Sequence, residues 1–148
     1  MIIKHTNLAD GSNHLSFNTN CRQIGLDFPF FDDIIVNCYI DKFPNQIIVK
    51  CYIELNVHLN CDRCNEEYET KVTNDFILTY LFDRNRVQED ELNIYYLSPT
   101  EDKIDISKDV YEYSIISLPL KNLCKDDCKG LCPKCGKNLN KEKCTCEI

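Results

Sequence analysis

Glycine is scarce in this chain of 148 residues: four are present, at positions 11, 25, 130 and 136, too far apart to make a loop that cradles phosphate. No Gly-x-Ser-x-Gly elbow occurs, so an exposed serine nucleophile of that type is excluded. Histidine is scarce too, and His5, His14 and His58 stand alone, which removes a His-rich metal site with an open water position. All three read as surface residues, His58 because it takes the polar parity of its segment. Nowhere does the chain hold the roughly 18 consecutive apolar residues of a membrane span. Its first residues, Met-Ile-Ile-Lys-His-Thr-Asn, lack a long apolar stretch and a small-residue cleavage site. A cytoplasmic protein with no membrane partner is expected. No Pro/Gly/Ser-rich linker and no repeat of long period divides the sequence.

Positive charge is short in one part only. Residues 118–148 hold seven lysines against Asp126, Asp127, Glu142 and Glu147, a local balance of +3, so residues 1–117 carry −10 within the total of −7. Such an acidic body repels a phosphate backbone, and direct RNA contact is expected only at the tail. The neighbouring acids Asp32/Asp33 and Glu66/Glu67 read as charge decoration on solvated segments, not as acid/base pairs. Neither an enzyme nor a small-molecule substrate is indicated.

With 43% hydrophobic and 28% charged residues, the composition is that of an ordinary globular protein, and the length suits one core with an appendage. Residues 1–30 show little periodicity, with Asp10-Gly11-Ser12-Asn13 reading as a turn and Pro29 as a boundary. Ile34, Val36, Cys38 and Ile40 then repeat every second residue, and Phe43-Pro44-Asn45-Gln46 supplies a turn. Alternation is clearest from Ile47 to Leu59 and resumes from Tyr68 to Phe82, which predicts two long strands paired through Cys61-Asp62-Arg63-Cys64 at a hairpin tip. Asp83 to Glu91 reads as a solvated loop, and Ile94 to Leu97 as a further strand. Ser107 caps a helix over about 107–117 whose apolar positions are Val110, Tyr111, Ile115 and Leu118, with Pro119 ending it. The expectation is an α+β fold: an antiparallel β-sheet body with long hairpins and one packed helix over residues 1–117, and a cysteine-rich tail, 118–148, docked on it as one structural unit.

Cysteine is what the sequence has in abundance, eleven in all. Cys21, Cys38 and Cys51 read as small apolar residues, the last two by strand parity. The tail, Cys124-x3-Cys128-x3-Cys132-Pro133-Lys134-Cys135-Gly136 and then Cys144-Thr145-Cys146, is too rich in thiols and too poor in core residues to fold unaided. In a reducing compartment, clustered thiols point to metal rather than disulfides. Short CxxC turns place two thiolates on one Zn²⁺. With Cys61 and Cys64, the tail cysteines make two complete four-thiolate sets, and two structural zinc ions are the economical reading. Cys132, Cys135, Cys144 and Cys146 would close one site; Cys61, Cys64, Cys124 and Cys128 would form the other and clamp tail to sheet. The spacing is also compatible with other pairings, with one zinc shared by four of the eight, and with an iron–sulfur cluster. Each four-thiolate zinc site carries −2, and Lys125, Lys129, Lys134, Lys137, Lys141 and Lys143, interleaved with the ligands, read first as compensation and second as phosphate contacts. A redox dithiol at Cys61/Cys64 fits less well, because such pairs open a helix in a βαβ unit.

The string Cys61-Asp62-Arg63-Cys64, Leu118-Pro119-Leu120, and Cys124 through Lys129-Gly130-Leu131-Cys132-Pro133-Lys134-Cys135-Gly136-Lys137-Asn138-Leu139-Asn140, ending in Cys-x-Cys, resembles the YceD family of large ribosomal RNA subunit accumulation proteins. Residues 1–50 contribute almost nothing to this match, and Asn65 departs from the apolar residue common in that family. The resemblance implies a part in accumulation or processing of large-subunit ribosomal RNA in bacteria or plastids. It also favours the Cys61/Cys64/Cys124/Cys128 grouping, because members without the Gly-Leu-Cys-Pro tail keep the mid-chain pair and a Cys or His near the other two. No catalytic residue carries over. The expected function is that of a non-enzymatic, zinc-binding ribosome biogenesis factor. Its expected partner is large-subunit ribosomal RNA, a ribosomal protein or an assembly intermediate, with a basic ribosomal protein suiting the acidic body. A redox- or metal-responsive thiol protein is the alternative, and a nuclease a third.

Overall fold

The computed structural model describes residues 1–146. Its elements are β1 (Ile2–Lys4), β2 (Gly11–Asn20), β3 (Phe30–Lys42), β4 (Gln46–Asn60), β5 (Glu67–Leu81), β6 (Ile94–Tyr96), β7 (Lys103–Asp105) and α1 (Ser107–Ile116). Strands β2 to β6 form one sheet in sequential order, antiparallel except for the parallel pair β5–β6, and β1 pairs with β7 in a small antiparallel ribbon. The fold is thus a mostly antiparallel sheet with one helix.

Period-two alternation decides which face of the sheet is inside. Ile34, Val36, Cys38 and Ile40 of β3, Ile47 through Leu59 at every second position of β4, and Val72, Phe76, Leu78 and Tyr80 of β5 are all buried. Each buried Val, Leu or Ile contributes about 1.5–3 kcal/mol, so these three strands dominate the core. Helix α1, Ile3, Ile104 and the turn Cys21–Ile24 cover this face. The opposite face is open, leaving Ile35, Tyr39, Tyr52 and Ile77 exposed. The β4–β5 register is unbroken from Gln46↔Leu81 to Asn60↔Glu67. That ladder sets Cys61–Cys64 at its end. On the other side, β3 follows β4 until the register shifts between Phe31 and Ile35, where Asp32 adopts φ 58°.

Four expectations change. Asp10–Asn13 is not a turn, since β2 begins at Gly11 and pairs with β3 along its whole length. As an edge strand it half-buries Asn13, Leu15, Phe17 and Thr19, two of them polar, which blurs the alternation. Ser107 is the first helical residue and not the cap: the Asp105 carboxylate accepts its amide at 2.9 Å. The helix ends at Ile116, and Tyr111 and Ile115 face outward; Asp109, Val110 and Ser114 are the buried positions. Tyr113 completes that inner side, stacking on Phe76 at 4.3 Å while its carbonyl accepts from Asn74 Nδ2 at 3.1 Å. Finally, His5 is buried, with its ring nitrogen 2.6 Å from the Glu101 carbonyl. His14 and His58 are on the sheet surface, His58 stacked on Phe31 at 4.0 Å and 3.3 Å from Glu69.

Asp109 is the buried carboxylate under β6, accepting from the Tyr95 hydroxyl at 2.6 Å. Desolvation pushes its pKa up, outweighing the Tyr95 hydrogen bond. A raised carboxyl favours the fold below the ordinary carboxylate range and withdraws that support as pH rises through the folded-state value. Asp109→Asn, which keeps an acceptor for Tyr95, is therefore expected to raise the melting temperature at pH 7 and to lose that advantage below about pH 4, the ordinary range. Thermal unfolding of both proteins across this range checks it; a variant less stable than the parent at pH 7 overturns it.

Candidate metal centre

The end of the β4–β5 hairpin is a tight turn. Asn65 donates its amide to the Cys61 carbonyl at 2.8 Å, and the Cys61 amide reaches the Glu66 carbonyl at 2.9 Å. This closure puts Asn65 at φ 57°, the left-handed region that asparagine enters more readily than an apolar residue does. The turn aims Cys61 and Cys64 at the chain after α1. That chain is tied back by two bonds between Asp62 and Asn122: the Asp62 amide to the Asn122 carbonyl at 2.8 Å, and the Asn122 amide to Asp62 Oδ2 at 2.7 Å.

Arg63 fastens the next stretch. Its guanidinium donates to the Cys128 carbonyl at 3.0 Å, and its own carbonyl accepts the Leu131 amide at 3.1 Å. Gly130 lies so close that a Cβ on it would stand 3.0 Å from the Arg63 carbonyl oxygen. Asn140 returns from further along, accepting the Lys129 amide at 2.9 Å and donating to Cys128 Sγ at 3.2 Å. Lys141 forms an ion pair with Glu66 at the hairpin.

These contacts gather Cys61, Cys64, Cys124 and Cys128, with all four sulfurs within 4.8 Å of one another. Cys61 and Cys128 are 3.7 Å apart, as are Cys64 and Cys124. A tetrahedral ion with sulfur bonds of about 2.3 Å has sulfur–sulfur edges of about 3.8 Å, so the separations suit four thiolates around one ion. Three of the four residues are buried, and Leu123 and Tyr68 pack on them. Cys132, Cys135, Cys144 and Cys146 form a second group within the same limit. Cys144 lies 3.2 Å from Cys132 and 3.5 Å from Cys135. A short turn shapes it: the Cys132 amide reaches the Lys137 carbonyl at 2.8 Å, and the Gly136 amide the Cys132 carbonyl at 2.9 Å. Here Cys135 is exposed.

The two groups could each hold a metal ion, and their electrostatics show what an ion would relieve. Burial pushes the Cys61 thiol up, but backbone N–H groups of Cys124, Cys64 and Arg63 outweigh it and bring it down to about 6. Burial, together with the thiols of Cys64, Cys128 and Cys61, pushes Cys124 up to about 12. In the second group, the Cys135 and Lys134 N–H groups bring Cys132 down to about 6, while the Cys144 and Cys135 thiols push Cys146 up to about 12. Four sulfurs this close do not all ionise unless a cation shares their charge.

The structure thus brings the eight cysteines together in the two groups that the spacing suggests. Cys38 and Cys51 lie apart from both, buried opposite each other on β3 and β4 with sulfurs 2.9 Å apart, and Cys21 is buried by its turn. Of the interleaved lysines, Lys125 pairs with Asp127 at 4.0 Å and Lys137 with Glu142 at 3.7 Å, so these and Lys141 face carboxylates and not only sulfurs. Arg63, Asn122 and Asn140 were not singled out by the sequence, although Arg63 sits inside the CxxC.

Comparison with known proteins places this region in a described family. A family model described as "Large ribosomal RNA subunit accumulation protein YceD" matches residues 49–148, the stretch from within β4 to the end of the tail. The chain is 44% identical over 48 residues to "Large ribosomal RNA subunit accumulation protein YCED homolog 1, chloroplastic" of Arabidopsis thaliana, covering 32% of this chain and 15% of that protein. It is 45% identical over 51 residues to the protein of the same name from Zea mays, covering 33% and 17%. The matched segment is therefore a small part of either plant protein. No solved structure matches the chain.

Gly130 and Gly136 separate packing from backbone strain. Both have positive φ, 75° and 72°, but a Cβ on Gly136 meets nothing within 4 Å. Gly136→Ala is expected to cost about 1–2 kcal/mol, the strain of a left-handed alanine. Gly130→Ala should cost more and should open the chain after Cys124 to protease, because the added Cβ would crowd the Arg63 carbonyl at 3.0 Å and push the docked chain away from the hairpin. Denaturant midpoints with limited proteolysis decide it; equal effects of the two substitutions would count against a close dock at Arg63.

Proposed function

The chain belongs to the YceD family of large ribosomal RNA subunit accumulation proteins, and from that premise we propose that it is a non-enzymatic ribosome biogenesis factor supporting large-subunit ribosomal RNA accumulation or processing. It acts by binding ribosomal RNA, a ribosomal protein or an assembly intermediate, in the cytoplasm. The observation that carries the reading is the four-cysteine group joining hairpin and tail, which falls within the matched region. A closed set of four thiols leaves no position for a substrate or an activated water, and such sites shape a surface instead of catalysing.

Zinc is the ion that best suits both groups, Cys61/Cys64/Cys124/Cys128 and Cys132/Cys135/Cys144/Cys146, since four thiolates in a tetrahedron are its usual structural set. When bound, it would neutralise part of the thiolate charge and supply folding energy to a tail with little core. On this reading the body, 1–117, and the tail, 118–148, work as one unit fastened at the first group. Two such sites would change the formal charge from −7 to −11 by adding −2 each. That balance favours a basic protein partner over a bare phosphate backbone. The exposed Cys135 is the feature that a metal-releasing or redox response would use.

Native mass measurement is expected to give two zinc ions per chain. Cys61→Ser should keep the ion of the Cys132/Cys135/Cys144/Cys146 group, lose that of the Cys61/Cys64/Cys124/Cys128 group, and leave the segment after Cys124 sensitive to protease. Deleting the protein from its host should lower large-subunit ribosomal RNA relative to small-subunit RNA, and Cys61→Ser should fail to restore it. An iron-coloured protein, or one ion per chain, would break the zinc assignment. A Cys61–Cys64 disulfide that forms quickly and reversibly with the fold intact would favour the thiol-responsive alternative.

A further inference from the structure

The open face of the sheet takes no part in either cysteine group, yet it is not a plain solvated surface. Tyr39 of β3 and Tyr52 of β4 stand on it, 49% and 54% exposed, with ring centroids 6.0 Å apart and planes at 85°. His14 of β2 lies against Tyr39 at 4.7 Å. Aromatic rings left half in water on a sheet offer their faces to a ligand, and a ring face attracts cations.

Three shallow depressions run across this face and share walls. The first, about 740 Å³, is bounded by Asn37, Tyr39, Asp41 and Tyr52. The second, about 340 Å³, continues from Asn37 and Tyr52 to Glu54 and Asp75. The third, about 360 Å³, goes from Ile35 and Glu54 to Asp33. Each contains a carboxylate. The cations nearby are already engaged: Lys50 pairs with Asp41 at 3.6 Å and Lys71 with Glu54 at 2.7 Å. Asp33 and Asp75 have no ion pair among the described residues. A single-stranded RNA laid on these rings would bring its phosphates against Asp33, Asp41, Glu54 and Asp75, with only Lys50 and Lys71, each already paired with one of these carboxylates, to receive them.

We propose that this trough docks an extended polypeptide segment rich in arginine and lysine, its cationic side chains lying over Tyr39 and Tyr52 and against Asp33 and Asp75. The long shape suits a strand-like segment at about 3.3 Å per residue, whose side chains can enter successive depressions. The inference rests on the protein-partner branch of the proposed function and gives that partner a chemistry and a place.

The test uses the full-length, metal-loaded protein with two fluorescein-labelled probes: a peptide of alternating arginine and alanine, and an oligouridine of similar length. The peptide is expected to bind. Tyr39→Ala/Tyr52→Ala and Asp33→Lys/Asp75→Lys should each raise its Kd about tenfold or more, as loss of a central anchor does. Glu89→Lys/Glu91→Lys makes the same charge change on the exposed loop and should raise it by no more than about twofold, since screened distant charges act weakly. Unchanged melting temperatures show that the variants fold. Equal effects of the loop and trough variants would mean unspecific attraction and overturn the proposal. So would oligouridine binding that depends on the tyrosine pair while peptide binding does not, or a dimer in sedimentation that the tyrosine pair abolishes. Ribosomal RNA levels in the deletion strain judge the family function separately: unchanged RNA there would sink that function whatever the peptide does. A trough variant that binds peptide normally sinks only this inference.

Discussion

Everything in the tail depends on sulfurs from two distant stretches of chain being held within 4.8 Å of one another. Cys61 and Cys64 come from the end of a hairpin, Cys124 and Cys128 from a segment that begins after the helix. Nothing in either stretch buries much apolar surface besides Tyr68 and Leu123. Hydrogen bonds therefore do the aligning: Asp62 with Asn122, Arg63 with Cys128 and Leu131, Asn140 with Lys129 and Cys128. Bonds of this kind contribute about 1 kcal/mol each, too little to order the tail against its chain entropy. A cation shared by four thiolates would be the stronger force by far, and the four sulfurs stand where one could act.

The central strands were legible because burial on one face imposes a period of two, and β4 and β5 keep it for their full length. Of the cysteines, the Cys132/Cys135/Cys144/Cys146 group was legible because short spacings restrict which thiols can meet, whereas Cys61/Cys64 with Cys124/Cys128 was only the remaining set of four, about 60 residues apart in the chain, and spacing left other pairings open. Other features were hidden for physical causes. Strand β2 lies at an edge and half-buries polar Asn13 and Thr19, so its pattern is weak. Helix α1 turns Tyr111 and Ile115 outward and buries Asp109 and Ser114, because Tyr95 and the Val110 carbonyl satisfy those polar groups. No local rule announces such partners. Asn122 and Asn140 belong to the same class, since their bonds span many residues and exist only once the tail is docked.

The two faces of the sheet divide the work. One is filled by the helix, the β1–β7 ribbon and the side chains between them; the other keeps tyrosines and carboxylates in water. The family match begins at residue 49, so it takes in Tyr52, Glu54 and Asp75 but leaves Asp33 and Tyr39 outside. The family match thus takes in most of β4, then β5, β6, β7, α1 and the tail, while β2 and β3 add the remaining width of the sheet.

The unbroken β4–β5 ladder bears on when a metal ion can be captured. Strand pairing has a period of two, so a slip of one residue turns every side chain to the other face. A hairpin paired one step out would rebuild the turn at Cys61–Asn65 and lose the Asp62 bonds to Asn122. Two thiols would then stand where four are needed, and an ion would be held poorly. Metal uptake at Cys61, Cys64, Cys124 and Cys128 would in this sense be a quality inspection of the sheet: a nascent chain would hold an ion tightly there only after its longest pair of strands had found the right register.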